Sequence, residues 1–210
     1  MFTYRIAQSD KDFDRIMLLI QKSYANSYPG FDYQKLISHP YFLQVRVESI
    51  MLFYDEQLVG TISILHNKEG GILPSEHLLN YVCPEDIKGN VIEVGRIASV
   101  TDIELNHKVK NKILHVLLWL GACKLMERKE EYFICSIQNT FFNYFNRFGF
   151  NPTIIDEGIQ NEISKDDTGD YLRDDTKFIY CNAKLCYDIL SKMNLSAYIQ
   201  EMDIQLVQQC

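Results

Sequence analysis

The order in which apolar segments follow one another constrains the fold more than any other feature of this sequence. Some segments alternate apolar and polar residues, as strands do, and others place apolar residues at helical spacing. From the first residue onward the predicted order is β-α-(α)-β-β-insertion-β-α-β-α-β-β-α. Strands interleaved with helices in this way predict a mixed α/β sheet with helices on its faces.

Turn and capping residues set the boundaries of these elements. Ser9 is suited to cap the first helix, and Gly149 to end the short third one. The predicted strands are Phe2–Ala7, two strands in Ser49–Asn67 joined by a turn at Asp55–Gln57, Ile92–Val100, Tyr132–Ile137, one that starts in Asn151–Ile155, and Lys177–Ala183. The predicted helices are Asp10–Ala25, Asn106–Lys129, Asn139–Phe148 and Lys184–Met193.

The length of the chain favours one domain. Its 210 residues are expected to form a core of about residues 1–155, followed by a C-terminal strand and helix extension at residues 156–210. Lys68–Asn90 is interpreted as an insertion, and Asp156–Asp175 as a polar surface loop. We find no internal repeat and no interdomain linker in the sequence.

Charge and cysteine usage narrow the function classes. The net charge of −7 disfavours a nucleic-acid binder, although lysines and arginines cluster between Lys108 and Lys129 and suggest an anionic ligand or partner. The six cysteines form no C-x-x-C pair, and the sequence around Met1 does not resemble a signal peptide. The apolar run Ile113–Met126 has 14 residues, fewer than a membrane span needs. A cytoplasmic protein with reduced thiols is expected.

The strand Ile92–Val100, IEVGRIASV, carries charges that a core strand normally excludes. Glu93 and Arg96 are three residues apart and would face opposite sides of a regular strand. They share a face only if a bulge intervenes, and Gly95 is where we expect one. Two interpretations stay open at this point: a functional pair on the floor of a cleft, or a structural ion pair beside the sheet.

The segment that follows this strand resembles a known superfamily. A strand, a long helix, a strand and a short helix ending in RFGF (Arg147–Phe150) are similar to the GNAT N-acetyltransferase fold, a likeness that covers roughly Phe2–Ile155. The G-x-L-P of Gly71–Pro74 and the E-x-x-R of Glu93 and Arg96 resemble the N-acyl amino acid synthases and, more distantly, the acyl-homoserine-lactone synthases. The resemblance implies a mostly antiparallel sheet, splayed at a central bulged strand and flanked by helices.

The resemblance also implies an activity. The expected enzyme is an N-acyltransferase that moves an acyl group from a thioester to the amine of a small acceptor, an amino acid. The donor would be acyl-CoA or an acyl carrier protein bearing acyl-phosphopantetheine, and no cofactor would be bound permanently. Two alternatives remain: an acetyl-CoA-dependent acetyltransferase of a small amine or peptide, and a non-catalytic member that binds an acyl group or a partner. Neither nucleic acid nor a membrane span is expected.

Roles for the strand residues follow from this chemistry. Glu93 would draw the amine proton, directly or through water. Backbone N–H groups of Ile97, Ala98 and Ser99 would hold the thioester and the pantetheine amides. Arg96 would bind the carboxylate of an amino-acid acceptor or fix Glu93.

The start of the long helix departs from the superfamily pattern. In the superfamily a turn with small residues cradles the CoA pyrophosphate at a helix N-terminus. Here the matching positions are Lys108, Asn111 and Ile113, so both small positions are filled. Lys108, Lys110 and Lys112 would then hold acyl-CoA more loosely or attract an acidic carrier protein, and a solvated helix start is the alternative.

Further site residues are assigned with open alternatives. Superfamily members often place a proton-donating Tyr four residues before the Gly of GF, where this chain has Phe145; Tyr144 is adjacent and is our candidate. Asn139 opens the short helix, where it would contact the pantetheine arm or act only as an N-cap. Asp32, Tyr33 and Phe42 would contact the acceptor, or belong to a plain surface loop. The histidine spacing predicts no metal site.

Overall fold

The computed structural model describes residues 1–25, 45–67, 73, 75, 92–100, 105, 107–156 and 176–201. The strands are β1 (Phe2–Ile6), β2 (Val45–Tyr54), β3 (Gln57–Asn67), β4 (Ile92–Ser99), β5 (Tyr132–Gln138), β6 (Thr153–Asp156), β7 (Thr176–Asn182) and β8 (Ile199–Glu201). The α-helices are α1 (Asp10–Ala25), α2 (His107–Glu127), α3 (Asn139–Phe148) and α4 (Ala183–Ser191), and a 3-10 turn covers Leu195–Tyr198.

The described strands form one sheet in the order β6-β7-β5-β4-β3-β2-β1-β8. Neighbouring strands are antiparallel except at two places, where β4 lies parallel to β5 and β1 lies parallel to β8. The mixed, mostly antiparallel sheet flanked by helices is therefore confirmed. Its parallel pair in the middle is the place where the sheet opens, as described below.

Local sequence signals explain several element ends. The hairpin β2–β3 turns at Asp55 and Glu56, whose φ angles are +47° and +65°, and two left-handed residues match the twist of the flanking strands. Ser9 caps α1, because its Oγ accepts the backbone N–H of Asp12 at 3.2 Å. Gly149 has φ +82° and ends α3, and the predictions for these three sites are confirmed.

The two faces of the sheet are covered by different helices. The long helix α2 packs on one face through its predicted apolar positions, all of which are buried: Ile113, Val116, Leu117, Leu120 and Leu125. A Cβ on Gly121 would lie only 2.9 Å from Ile62 Cδ1, so a glycine here lets α2 approach β3 closely. On the opposite face, Ile16 and Ile20 of α1 pack against Met51 and Phe53.

The C-terminal segment extends further than the sequence predicted. Strand β7 was expected to be the last, but β8 adds a strand at the other end of the sheet, where Phe2 is paired with Ile199. Between them, α4 packs on α2 and the 3-10 turn brings the ring of Tyr198 to 3.4 Å from Lys112 Nζ. The segment from β7 to β8 thus crosses the α2 side of the molecule and contributes α4 to its core.

Candidate active site

A bulge interrupts β4 next to the predicted place. Gly95 is paired with Ser63 and Ala98 with Thr61, so Arg96 and Ile97 together oppose the single residue Ile62. The left-handed residue of this bulge is Arg96, with φ +51°, rather than Gly95. A non-glycine residue in this conformation is strained by roughly 1–3 kcal/mol and is most often kept where the site needs it. The bulge aims the Arg96 side chain at the cavity described next.

β4 and β5 separate immediately before this bulge. Their parallel ladder joins Ile92 with Phe133 and Glu93 with Ile134, and no later pair is formed within the described residues. A cavity of about 320 Å³ opens between the diverging strands. Its polar lining residues are Ser23, Tyr24, Arg96, Ser99, Ser136, Gln138 and Thr176, and its apolar lining includes Leu117, Leu118, Leu125, Phe133, Phe145, Phe150 and Leu190. The cavity wall therefore combines several polar side chains with many apolar ones.

The predicted backbone segment lies at this cavity. Ile97 and Ser99 line it, whereas Ala98 is buried on the other face of the sheet among residues that pack against α1. Tyr24 of α1 also lines the cavity, and its hydroxyl donates to the carbonyl of Ile97 at 3.1 Å. The sequence signalled Tyr24 only as an apolar position of α1, so its contact with the bulge was missed.

Glu93 has surroundings different from those of Arg96. It is buried and is not among the residues that line the cavity. Its carboxylate accepts the backbone N–H of Ser75 at 3.0 Å and the Ser75 hydroxyl at 2.8 Å. Ser75 and the neighbouring Leu73 are themselves buried, with Leu73 in a cluster with Leu65 and Ile134. The role of Glu93 as a base stays a prediction, and the structure gives its carboxylate an evident structural use.

The basic start of α2 lies outside the cavity wall. None of Lys108, Lys110, Asn111 and Lys112 lines it. Lys112 contacts the Tyr198 ring, and the Asn111 side-chain amide lies 3.2 Å from His107 Nδ1. Their predicted role in donor binding stays a prediction, which applies to the surface beside the cavity and not to its interior.

Some residues of α3 line the cavity and others do not. Phe145 lines the cavity, whereas Tyr144 packs against Phe148, with ring centroids 4.5 Å apart, and against His115. Burial raises the pKa of Tyr144 to about 12, which makes its phenol a weaker acid than an exposed one. Asn139 is exposed and is the first helical residue, so the expectation that it is the N-cap is wrong: Gln138 holds that position.

Three predicted site residues cannot be placed. Asp32, Tyr33 and Phe42 lie outside the described residues, as does most of the predicted insertion. Gln138, by contrast, is described and was missed by the sequence reasoning. It is the last residue of β5, lines the cavity, and its side-chain nitrogen is buried without an acceptor in the described parts of the chain. Only its position at a strand end could have signalled it.

Two cysteines line the cavity, and the thiol of one of them, Cys135, is held protonated by burial. Cys135 and Cys186 line it, and burial raises the pKa of Cys135, so that its thiol is a poor nucleophile. Cys123, Cys135, Cys181 and Cys186 are free cysteines, in line with the expected reduced state for the ones described. Across the ranges given above, no cluster of three His, Cys, Asp or Glu side chains is arranged to hold a metal ion. No described helix is both long and apolar enough to cross a membrane.

Comparisons with solved structures agree with this geometry. An N-acyl amino acid synthase from uncultured soil microbes is similar with a TM-score of 0.54 and 16% identity, over 86% of this chain and 89% of that one. A CoA-dependent acyl-homoserine lactone synthase, solved with SAM and isopentyl-CoA, is similar with a TM-score of 0.56 and 10% identity, over 96% and 93%. An acyl-CoA N-acyltransferase from Pseudomonas aeruginosa is similar with a TM-score of 0.50 and 13% identity, over 86% and 99%.

These likenesses establish the fold. The chain has the fold of the GNAT acyl-CoA N-acyltransferases, as the sequence resemblance implied. No protein-family model matches the sequence, and a comparison with curated proteins finds no relative. Since the identities are low, the substrates have to be argued from the site itself.

Proposed function

We propose that this chain is an N-acyltransferase, which transfers an acyl group from a thioester to the amine of a small acceptor, an amino acid. The observation that carries the proposal is the cavity of about 320 Å³ that opens where β4 and β5 diverge and continues into the apolar core. Small-molecule sites usually have volumes of roughly 300–1,000 Å³ with apolar walls and a few polar groups. The fold shared with an N-acyl amino acid synthase and an acyl-homoserine lactone synthase supports this chemistry.

The proposed reaction needs few groups. The neutral amine attacks the thioester carbonyl and forms the C–N bond, and the C–S bond then breaks with its electron pair on sulfur. The extra proton on nitrogen passes to water or to the departing thiolate, which leaves the amide. A thiolate leaves without a strong acid, because the pKa of an ordinary thiol is about 8.5. Backbone N–H groups of Ile97–Ser99, next to the point where β5 leaves β4, would stabilise the carbonyl oxygen.

Arg96 would select the acceptor. Its side chain lines the cavity at the bulge, close to Tyr24, where a carboxylate on the acceptor would meet the guanidinium fork. The predicted role of Glu93 as the base has less support, because its carboxylate accepts hydrogen bonds from the backbone N–H and the hydroxyl of Ser75. The amine can instead lose its proton to water, without a side chain as base.

The apolar interior favours a fatty acyl group over acetyl. Leu118, Leu125, Phe150 and Leu190 are among the apolar residues that line the cavity, and a two-carbon acyl group would leave most of this apolar wall without contact. The donor can be a CoA ester or an acyl carrier protein. Lys108 and Lys110, outside the cavity, supply the basic surface to which either phosphate or an acidic carrier would be attracted.

A thiol-release assay tests the proposal. The full-length protein would be incubated with a mixture of amino acids and, separately, with acetyl-CoA, octanoyl-CoA, dodecanoyl-CoA and dodecanoyl acyl carrier protein. We expect thiol release and an N-acyl amino acid, detected by mass spectrometry, with the longer donors. Release with acetyl-CoA alone would replace the proposal with a conventional acetyltransferase. No release with any donor would contradict an enzymatic function.

A further inference from the structure

Gln138 occupies the junction between the cavity and α3. It ends β5, on the strand edge that faces the β4 bulge after the two strands separate, and it pairs with Thr176 of β7. Both Gln138 and Thr176 line the cavity, as do Arg96 and Ile97 on the β4 side. In the cavity wall, Gln138 therefore has a polar neighbour, its pairing partner Thr176, and an apolar one, the preceding Ile137.

The hydrogen-bonding state of this side chain is unusual. Its amide nitrogen is buried and has no acceptor within the ranges that the structure describes. Gln138 also holds the N-cap position of α3, but makes no side-chain cap bond there. A buried N–H group without a partner is unfavourable, and native proteins rarely keep one unless a ligand or water satisfies it. Neither helix capping nor a side-chain partner explains why Gln138 is placed here.

We propose that Gln138 donates this N–H to a carbonyl oxygen of the bound acyl donor, and that the carbonyl is the one of the thioester. The inference rests on the proposed function and assigns a donor-binding residue that the sequence motifs did not indicate. The thioester joins the polar pantetheine to the apolar chain, and Gln138 lies in the wall beside polar Thr176 and apolar Ile137. A second carbonyl within the acyl chain, as in a 3-oxoacyl group, would offer the same kind of acceptor further from the sulfur.

Ligands that differ only in the carbonyl give the test. Dissociation constants for dodecanoyl-CoA, 3-oxododecanoyl-CoA and the thioether S-dodecyl-CoA, which has no carbonyl, would be measured by isothermal titration calorimetry. The variant is Gln138→Met, which keeps the length of the side chain and removes the donor. Gln200→Met, on the exposed side of β8, is the matched control.

The expected result is a loss of preference in one variant. The wild type and Gln200→Met should bind dodecanoyl-CoA roughly tenfold more tightly than the thioether, as one buried hydrogen bond allows. Gln138→Met should lose most of this preference, and only the part supplied by the backbone N–H groups of Ile97–Ser99 should remain. Its Tm without ligand should match or exceed that of the wild type, because a buried donor without an acceptor has been removed. A purely structural role would instead lower the Tm and leave the carbonyl preference unchanged.

The remaining outcomes have separate meanings. If Gln138→Met keeps the preference for dodecanoyl-CoA over the thioether, the proposal is overturned. If it loses affinity only for 3-oxododecanoyl-CoA, the thioester assignment is wrong and the chain carbonyl is the acceptor. If the wild type binds none of the three CoA derivatives, this inference is overturned for a CoA donor, and thiol release from dodecanoyl acyl carrier protein decides separately whether the proposed function stands.

Discussion

Ser75 donates two hydrogen bonds to the carboxylate of Glu93, one from its backbone N–H and one from its hydroxyl. Glu93 is the last β4 residue that pairs with β5, and the bulge begins three positions later, at Arg96. The carboxylate therefore connects Ser75 to the point at which the sheet opens. This connection gives Glu93 a structural role that can be separated from catalysis by experiment.

Removing the Ser75 hydroxyl should weaken the fold at this point. We expect Ser75→Ala to lower the free energy of unfolding by about 1–3 kcal/mol, because a buried carboxylate loses a donor. Ser191→Ala, at an exposed position of α4, should change it by less than about 0.5 kcal/mol. Urea denaturation measures both values. Equal stability of Ser75→Ala and the wild type would show that the bond contributes nothing.

Glu93→Gln distinguishes a base from a structural carboxylate. If Glu93 acts through Ser75, Ser75→Ala, Glu93→Gln and the double variant should lose similar amounts of acyl transfer, since both residues form one interaction. The pH dependence of the remaining rate should keep its shape. If Glu93 is the base, Glu93→Gln should lose about 100-fold or more while Ser75→Ala stays near wild type. Steady-state rates across pH decide between the two.

The left-handed Arg96 predicts different effects for two substitutions at one position. Arg96→Gly should leave the free energy of unfolding within about 1 kcal/mol of wild type, because relief of backbone strain offsets the lost side-chain contacts. Arg96→Val should be about 1–2 kcal/mol less stable than Arg96→Gly, since a β-branched residue is strained at φ +51°. Thermal and urea unfolding provide the values. Equal stability of the two variants would argue against the bulge.

Both Arg96 variants should lose acyl transfer to an amino acid. The proposed carboxylate contact predicts a higher KM for the acceptor and an unchanged dissociation constant for dodecanoyl-CoA. Arg96→Lys should recover part of the activity only, because a lysine cannot make the bidentate contact. An unchanged acceptor KM in Arg96→Gly would remove Arg96 from the site.

The part of the cavity wall that α4 forms should determine which acyl-chain length is preferred. Leu190→Trp and Cys186→Phe place larger side chains in α4 against the cavity, so the preferred donor should become shorter by several carbons. Overpacking should cost about 1–3 kcal/mol of stability. Tyr187→Trp lies on the same helix and outside the cavity lining, and should keep the wild-type preference. Thiol release with a series of acyl-CoA lengths measures this shift, and an unshifted optimum in Leu190→Trp would contradict the acyl assignment.

An ion pair near the start of α1 predicts an acid-sensitive contribution to stability. Arg5 donates to the Asp12 carboxylate with both terminal nitrogens, and chiefly for that reason the pKa of Asp12 lies well below its usual range. A depressed folded-state pKa contributes stability that is complete above the unfolded value of about 3.9 and is lost as the pH falls through the folded value. The free energy of unfolding should therefore fall between about pH 5 and pH 2.

Asp12→Asn isolates this contribution. The variant should be about 1–3 kcal/mol less stable than wild type at pH 7, and its stability should depend less on pH below 5. Asp14→Asn, at an exposed position of the same helix, should keep the wild-type slope. Unfolding curves at several pH values check this. Parallel slopes for wild type and Asp12→Asn would remove the ion pair as the cause.

Local signals in the sequence were sufficient to predict individual helices and strands. Apolar periodicity located α1, α2 and the β2–β3 hairpin to within a few residues, and Gly149 marked the end of α3. These features depend on neighbours within one or two turns, where spacing and backbone preference act directly. The charged residues of IEVGRIASV also signalled an irregular strand, because a regular core strand excludes them.

Contacts between distant segments decided the rest. The sequence near Ile199 does not indicate that it pairs with Phe2. The sequence near Glu93 does not indicate that Ser75, 18 positions earlier, donates hydrogen bonds to its carboxylate. The left-handed residue of the bulge is Arg96 and not the glycine beside it, because the register with β3 sets the position of the extra residue. Gln138 lines a cavity only because β4 and β5 diverge. Such relationships arise from packing across the sheet, which sequence periodicity does not encode.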